Sequence, residues 1–92
     1  MEMGMAAAVT LGEAKLFLRV GHEAEDGLIQ TLIEAAAARV EGELGEGLSD
    51  VSPAPLRLAV LMLVLRAYER GEVEMAIQPV EAWLAPYRVV RL

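Results

Sequence analysis

The chain of 92 residues carries a net charge of −6, contains no cysteine and is 55% hydrophobic. The acidic balance argues against a nucleic-acid-binding protein, which needs a concentrated positive surface for phosphates, and the lack of cysteine excludes a disulfide framework and thiol chemistry. The length predicts one domain, and the apolar fraction exceeds the ~45–50% usual for soluble domains, which suggests that some apolar surface is buried against a partner.

The helical patterns predict an all-α fold, a small four-helix domain with a long central apolar helix and short terminal helices. The start MEMGMAAAVT lacks the cationic region and the long apolar core of a signal peptide. Residues 1–8 are expected to form a flexible N-terminal arm, since chain ends are commonly poorly ordered. Residues 9–92 are expected to form a single helical domain.

The first two helices are predicted over about residues 10–19 and 25–44. Thr10 and Glu13 have the spacing of a capping box, in which each side chain bonds the backbone N–H of the other residue. Gly21 is expected to end the first helix. The second helix has apolar side chains with a 3.6-residue period, and its run of four alanines is expected to let a neighbouring helix approach closely.

The third helix is predicted over residues 54–70, because prolines lie before and in its first turn and Gly71 follows its last turn. It contains LAVLMLVL, residues 58–65, in which every side chain is apolar. A buried strand would also suit these eight residues, but the pattern continues through Tyr68 with helix signals at both ends, so a helix is favoured. The run is far shorter than the ~20 residues of a membrane span.

A short fourth helix is predicted to begin at Pro79 and to be limited by Pro86. Residues 72–78 form a connector before it, and the final YRVVRL is either extended or an unravelled tail. Trp83 and Tyr87 fall on one helical face. They either pack in the core or form an anchor for a partner, a role in which tryptophan, tyrosine and arginine are enriched.

The apolar run of the third helix has a consequence for assembly. A helix that is apolar on all sides must be covered on all sides. The other three helices are expected to cover about two-thirds of its circumference, judged from helix diameters of ~10 Å. The remainder would be an exposed apolar patch of the kind that marks an interface.

Charges are unevenly distributed along the chain. Residues 1–50 contain ten acids and three bases, whereas residues 51–92 contain four acids and five bases. Two unlike surfaces on one protomer suit head-to-tail association. The alternative is that the acids simply keep an apolar chain in solution.

No motif indicates an enzyme. The single histidine, His22, lies in a loop with Glu23, Glu25 and Asp26, and a solvated acidic loop is favoured over a metal site because an EF-hand spacing and converging ligands are missing. The serines have no neighbouring base, and the glycine-rich segment lacks the lysine of a phosphate-binding loop. The sequence therefore predicts no catalytic, cofactor-binding or metal-binding residue.

Four segments in this order carry a family resemblance: VTLGEAKLFLRV, DGLIQTLIEAAAARVEGELG, PAPLRLAVLMLVLRAYER and QPVEAWLAPYR. Together they resemble the small α-helical head–tail connector, or adaptor, proteins of long-tailed phages and of phage-like gene transfer agents. The resemblance covers residues 9 to about 88. The sequence departs from the family pattern at Gly21 and in the loop 41–50, which is unusually rich in Gly and Glu.

The resemblance implies a virion structural protein and no enzymatic activity. Such connectors form a homo-oligomeric ring, typically twelvefold, beneath the portal protein at the head–tail junction, and a tail or stopper protein docks below. DNA passes through the ring only as cargo, and the protein is made in the bacterial cytoplasm without a cofactor or a membrane contact.

Candidate residues for these roles follow from the patterns. The subunit interface is predicted at Arg57, Leu61, Met62, Leu65, Arg66 and Arg70, with the acidic second helix of a neighbour facing the arginines. Portal docking is predicted for the aromatic and basic end, at Trp83, Tyr87, Arg88, Val90, Arg91 and Leu92. The channel-facing acids are predicted to be Glu41, Glu43 and Glu46, because a negative wall lets DNA slide past.

Two other classes of protein remain as alternatives. A small helical dimeric interaction or regulatory module would explain the apolar helix with a single isologous interface, although the chain lacks a basic DNA-reading helix. An enzyme subunit would require an unexpected ligand or metal.

Overall fold

The computed structural model of the chain describes residues 7–71 and 77–88. Those two ranges contain helices and no strand, which confirms the all-α prediction. The α-helices are α1 (Leu11–Leu18), α2 (Asp26–Leu44), α3 (Ala54–Arg70) and α4 (Glu81–Leu84). Two 3₁₀ turns, Gln78–Val80 and Ala85–Tyr87, flank α4.

The predicted capping box starts α1. The Glu13 N–H donates to Thr10 Oγ1 at 3.1 Å, and the Thr10 N–H donates to Glu13 Oε1 at 2.9 Å. Two backbone donors that the first turn leaves unpaired are thereby satisfied. The structure thus confirms the start of the first helix.

The predicted end of α1 at Gly21 is wrong. Arg19 ends the helix in the left-handed conformation with φ 63°, and the Val20 N–H donates to the Lys15 carbonyl at 2.9 Å. This bond pairs a carbonyl of the last turn, which is what a left-handed residue at a helix end achieves. Glycine is the residue that adopts this conformation without steric cost, so an arginine there was not indicated by the sequence.

The two long helices have the predicted bounds to within a residue. Gly45 (φ 81°) ends α2, and Gly71 (φ 68°) ends α3. In both cases the glycine N–H donates to a carbonyl four residues earlier, at 2.8 Å. Pro53 precedes the first turn of α3, where a missing N–H costs nothing.

The core lies between α2 and α3, which share the most extensive contact of the fold, while α1 and α4 pack on the ends of this pair. No polar side chain is buried within the described ranges. The buried positions recur every three or four residues along each helix. They are Ile29, Ile33, Ala36, Val40 and Leu44 on α2, and Leu56, Ala59, Val60, Leu63, Val64 and Ala67 on α3.

The packed chain includes residues just ahead of α1. Ala8, which the sequence analysis placed in the arm 1–8, is buried together with Val9. The Ala8 carbonyl accepts a hydrogen bond from Arg57 Nε at 3.1 Å. The described packing therefore begins at Ala8, and the rest of the predicted arm, residues 1–6, lies outside the described residues.

The C-terminal segment docks through buried apolar side chains. Ile77, Val80 and Leu84 belong to the core cluster. Pro79 and Pro86 each lie in a 3₁₀ turn and limit α4 to four residues, as their positions predicted. Most of the predicted connector before this segment, and the final four residues after it, lie outside the described residues.

Candidate interaction surfaces

The outward side of α3 is apolar along its middle. Leu58, Leu61, Met62 and Leu65 lie opposite the buried positions of the helix, since each residue advances by about 100°. Leu58 is 38% exposed, and the other three side chains are half-buried. We refer to these four residues as the α3 ridge.

The α3 ridge departs from the usual pattern of a helix on a protein surface. Such a helix carries charged or polar side chains on its outer face, yet no charged residue lies between Leu58 and Leu65. Leu61 and Met62 touch the edge of the core. The described protomer therefore covers α3 incompletely. Leu58 was not among the predicted interface residues, although its spacing of i, i+3 and i+7 with Leu61 and Leu65 was a usable signal.

Arg57 has partners within its own protomer. Its Nη2 lies 3.0 Å from Glu13 Oε2, and its Nε donates to the Ala8 carbonyl. The residue thus ties the start of α3 to α1 and to the segment before it. The contact of Arg57 with a neighbouring subunit stays a prediction. In such a contact the guanidinium would bind the neighbour as well as Glu13 and the Ala8 carbonyl.

The environment of Glu13 stabilises its charged form. The hydrogen bond from the Thr10 N–H is the main cause, and the nearby Arg57 guanidinium adds to it; together they lower the pKa of Glu13 despite the desolvation that opposes them. A carboxylate that caps α1 and also bridges to α3 therefore stays ionised at neutral pH.

Two further arginines lie in the last turns of α3: Arg66 follows Met62 of the ridge by one turn, whereas Arg70 points away from the ridge and the exposed Glu69 follows Leu65. Arg66 is half-buried and Arg70 is exposed. Neither has an ion pair with any residue in the ranges 7–71 and 77–88. These two predicted interface residues thus present positive charge that the described protomer does not neutralise.

The predicted portal-docking and channel residues meet at one place. Arg88 Nη2 lies 2.9 Å from Glu43 Oε1 and 2.7 Å from Glu81 Oε1. Glu43 also pairs with Arg39 at 2.7 Å, one helical turn away. Arg88 and Glu43 were assigned to different surfaces, but the structure brings them into contact.

Trp83 and Tyr87 pack on the core and are each half-buried. Their core packing is therefore observed, and an additional contact with a partner stays a prediction. The remaining predicted docking residues, Val90, Arg91 and Leu92, lie outside the described residues.

The other two predicted channel acids differ in their surroundings. Glu41 is half-buried, and its Oε2 accepts a hydrogen bond from the Leu48 N–H at 2.9 Å, which fixes the start of the α2–α3 loop. Glu46 is exposed in that loop. The loop also exposes 85% of Val51 while burying Leu48. Glu41 thus stabilises the α2–α3 loop, whereas Glu46 faces solvent.

The acidic loop around His22 is held by ordinary contacts. The Ala24 N–H donates to His22 Nδ1 at 3.3 Å, and Asp26 pairs with Lys15 at 2.7 Å. Glu25 accepts a hydrogen bond from the Tyr68 hydroxyl, and this bond raises the pKa of Tyr68. No group of three or more potential metal ligands occurs in the part of the chain that the structure describes.

The exposed side of α2 carries small residues at helical spacing. Thr31, Ala35, Ala38 and Gly42 are all exposed, and we call them the α2 small-residue face. A Cβ added at Gly42 would meet no atom within 4 Å. The packing of the protomer therefore does not require a glycine at this position.

The comparisons with known proteins give one match. The family model described as phage gp6-like head-tail connector protein matches residues 8–84. No curated protein and no solved structure matches the chain. Within the described residues, no helix has both the length and the apolar character needed to cross a bilayer.

Proposed function

Because the chain belongs to the phage gp6-like head-tail connector family, whose members have a structural role at the head–tail junction, we propose that it forms a homomeric ring there. In this proposal the ring lies between the portal protein and a tail or stopper protein, in a phage or a gene transfer agent. DNA passes through its centre as cargo.

The incomplete cover of the α3 ridge is the observation that supports the ring most directly. A ring requires two different patches on each protomer that meet repeatedly and close. The proposed subunit interface contains the α3 ridge and Arg66 beside it, and extends to Arg57 and Arg70 at the two ends of α3. The ridge supplies apolar area for affinity, and the arginines select the register and the partner.

The proposed portal-docking surface is the C-terminal segment from Trp83 onward. Burial of Val80 and Leu84 fixes this segment on the core, and Arg88 is fixed by Glu43 and Glu81. The exposed parts of Trp83 and Tyr87 are then held in place before the portal arrives, which lowers the entropic cost of docking. Val90, Arg91 and Leu92 are proposed to extend the same contact.

The proposed channel wall contains the acids of the α2 end and the following loop. Glu46 is the best candidate of the three because it is exposed, whereas Glu41 and Glu43 also bond within the protomer. Negative side chains on the wall repel phosphates, so DNA would release no condensed counterions and would not be held.

The ring is tested with the purified protein alone and mixed with the portal protein of the same particle. Light scattering and electron microscopy are expected to show a closed ring in at least one of the two samples. Leu58→Asp is expected to prevent assembly while circular dichroism stays helical, because a charge would have to be buried at the interface.

The matched control is Leu16→Asp, since Leu16 is an exposed leucine of α1 that lies outside the α3 ridge. It is expected to assemble like the unmodified chain. A stable dimer whose size does not change when the portal is added would contradict the ring and would favour the dimeric interaction module.

A further inference from the structure

We propose that the α3 ridge of one copy packs against the α2 small-residue face of the next copy in the ring. This inference rests on the proposed function and names the two surfaces that would meet in it. The α3 ridge is thus covered by a second copy of this chain, which binds through its α2 helix.

The shapes of the two surfaces are complementary. The α3 ridge presents leucines and a methionine, whereas the α2 small-residue face presents alanines, a threonine and a glycine at the same three- and four-residue spacing. Large side chains on one helix pack into the groove between small ones on another, and the helix axes then approach to about 8 Å. The α3 ridge, in which Leu58 is 38% exposed and the other three side chains are half-buried, supplies the large side chains that would fit a surface of this shape.

Charge favours this pairing over a pairing of two α3 helices. Beside the α3 ridge, Arg66 follows Met62 by one turn, and beside the α2 small-residue face Glu34 precedes Ala38 by one turn. Arg66 and Arg70 have no ion pair among the described residues. Glu34, which is exposed beside the α2 small-residue face, bonds in the described protomer to the neutral Gln30 at 3.2 Å.

An interface between two parallel α3 helices would instead bring Arg66 of both copies to the same level. Like charges facing each other suppress an association, whereas opposite charges select the partner and its register. Because the ridge and its complement lie on different helices, each copy keeps one free surface after the first contact. The association therefore continues from copy to copy until the ring closes.

Cysteine pairing tests the contact directly, because the natural chain has no cysteine. One preparation carries Leu65→Cys, and a second, tagged preparation carries Ala38→Cys. After mixing and mild oxidation, mass spectrometry is expected to find the mixed disulfide-linked pair at about tenfold the yield of the control mixture. In that control, Val51→Cys replaces Ala38→Cys at a site that is 85% exposed and lies outside both surfaces.

Two results of this experiment would overturn the proposal. A mixed pair no more abundant than the Val51→Cys control would show that the α2 small-residue face is not next to the ridge. A Leu65→Cys pair with itself as the main product would show that two α3 helices face each other.

A steric variant separates this inference from the ring. Ala38→Trp points into solvent in the protomer, so its helical content is expected to match that of the natural chain, while its assembled fraction falls about tenfold or more. Leu16→Trp, at an exposed site of α1, is the matched control and is expected to assemble normally.

The possible failures of the steric test can be told apart. Rings of normal size and yield with Ala38→Trp would overturn the α2 contact and leave the connector function standing. Failure of the natural chain to assemble, both alone and with the portal, would overturn the proposed function and this inference with it.

Discussion

Replacing Leu84 by alanine tests whether the C-terminal segment is held on the core by packing. Leu84 is 0% exposed, and a buried Leu→Ala change costs about 2–5 kcal/mol through lost burial and the cavity left behind. The other apolar side chains that hold the segment are Ile77 and Val80 in the core, with Trp83 and Tyr87 packed against it. A helix of four residues has no stability of its own, and the partly exposed ion pairs of Arg88 contribute at most about 1 kcal/mol each.

This loss is large for a chain of this size. Stabilities of about 0.05–0.15 kcal/mol per residue imply about 5–14 kcal/mol for the whole domain. Leu84→Ala is therefore expected to shift the unfolding midpoint strongly toward lower denaturant. The matched control is Leu16→Ala, the same chemical change at a position that is 81% exposed, and it is expected to change stability by less than about 0.5 kcal/mol.

The assay uses the only tryptophan as a local probe. Trp83 lies beside Leu84, so its fluorescence reports on the segment, whereas far-ultraviolet circular dichroism reports mainly on α2 and α3. For the natural chain both probes are expected to give one transition in urea. For Leu84→Ala the fluorescence transition is expected at lower urea than in the natural chain. Equal midpoints for Leu84→Ala and Leu16→Ala by both probes would refute the view that burial of Leu84 holds the segment.

Three further predictions concern polar contacts. Thr10→Ala removes the cap of α1 and is expected to cost about 1 kcal/mol in urea unfolding, so an unchanged midpoint would contradict the role of the capping box. Glu13→Gln is expected to destabilise the protein at neutral pH. Because the folded state lowers the pKa of Glu13, the contribution of its carboxylate to folding stability is complete above the ordinary pKa of 4.5 and is lost as pH falls through the lowered pKa. The difference in unfolding free energy between Glu13→Gln and the natural chain should therefore become smaller in acid. A difference that becomes larger in acid would contradict this role of Glu13. The hydrogen bond to Glu25 raises the pKa of Tyr68 above 10.0, so in a Tyr87→Phe background, where Tyr68 is the remaining tyrosine, Glu25→Ala should move the alkaline absorbance titration to lower pH, and an unchanged midpoint would contradict this assignment.

Local signals in the sequence were sufficient to predict most helix bounds. The start of α1 follows from Thr10 and Glu13, which bond each other across one turn. The end of α3 follows from Gly71, which adopts a positive φ at low cost. Signals of this kind operate within a few residues and do not depend on the rest of the fold. The exception, Arg19, adopts a conformation that its residue type disfavours, and no neighbouring residue indicates it.

Such local signals do not predict contacts between residues that are distant in the sequence. Arg57 and Glu13 are separated by 44 positions, and Arg88 and Glu43 by 45, yet each pair shares an ion pair. Sequence patterns assign a charged residue to an exposed face of its helix but do not identify the helix that packs beside that face. For this reason Arg57 was predicted only as an interface residue, and the contact between Arg88 and Glu43 was missed.

Helix lengths explain why the other helices of the protomer leave the outer side of α3 incompletely covered. With a rise of ~1.5 Å per residue, the 17 residues of α3 extend ~25 Å, whereas the eight residues of α1 and the four of α4 extend ~12 Å and ~6 Å. The two short helices together are shorter than α3, and α2 already packs along its opposite side. The 19 residues of α2 extend ~28 Å, so the proposed cover by α2 of a neighbouring copy would extend along the whole of α3, which α1 and α4 are too short to do.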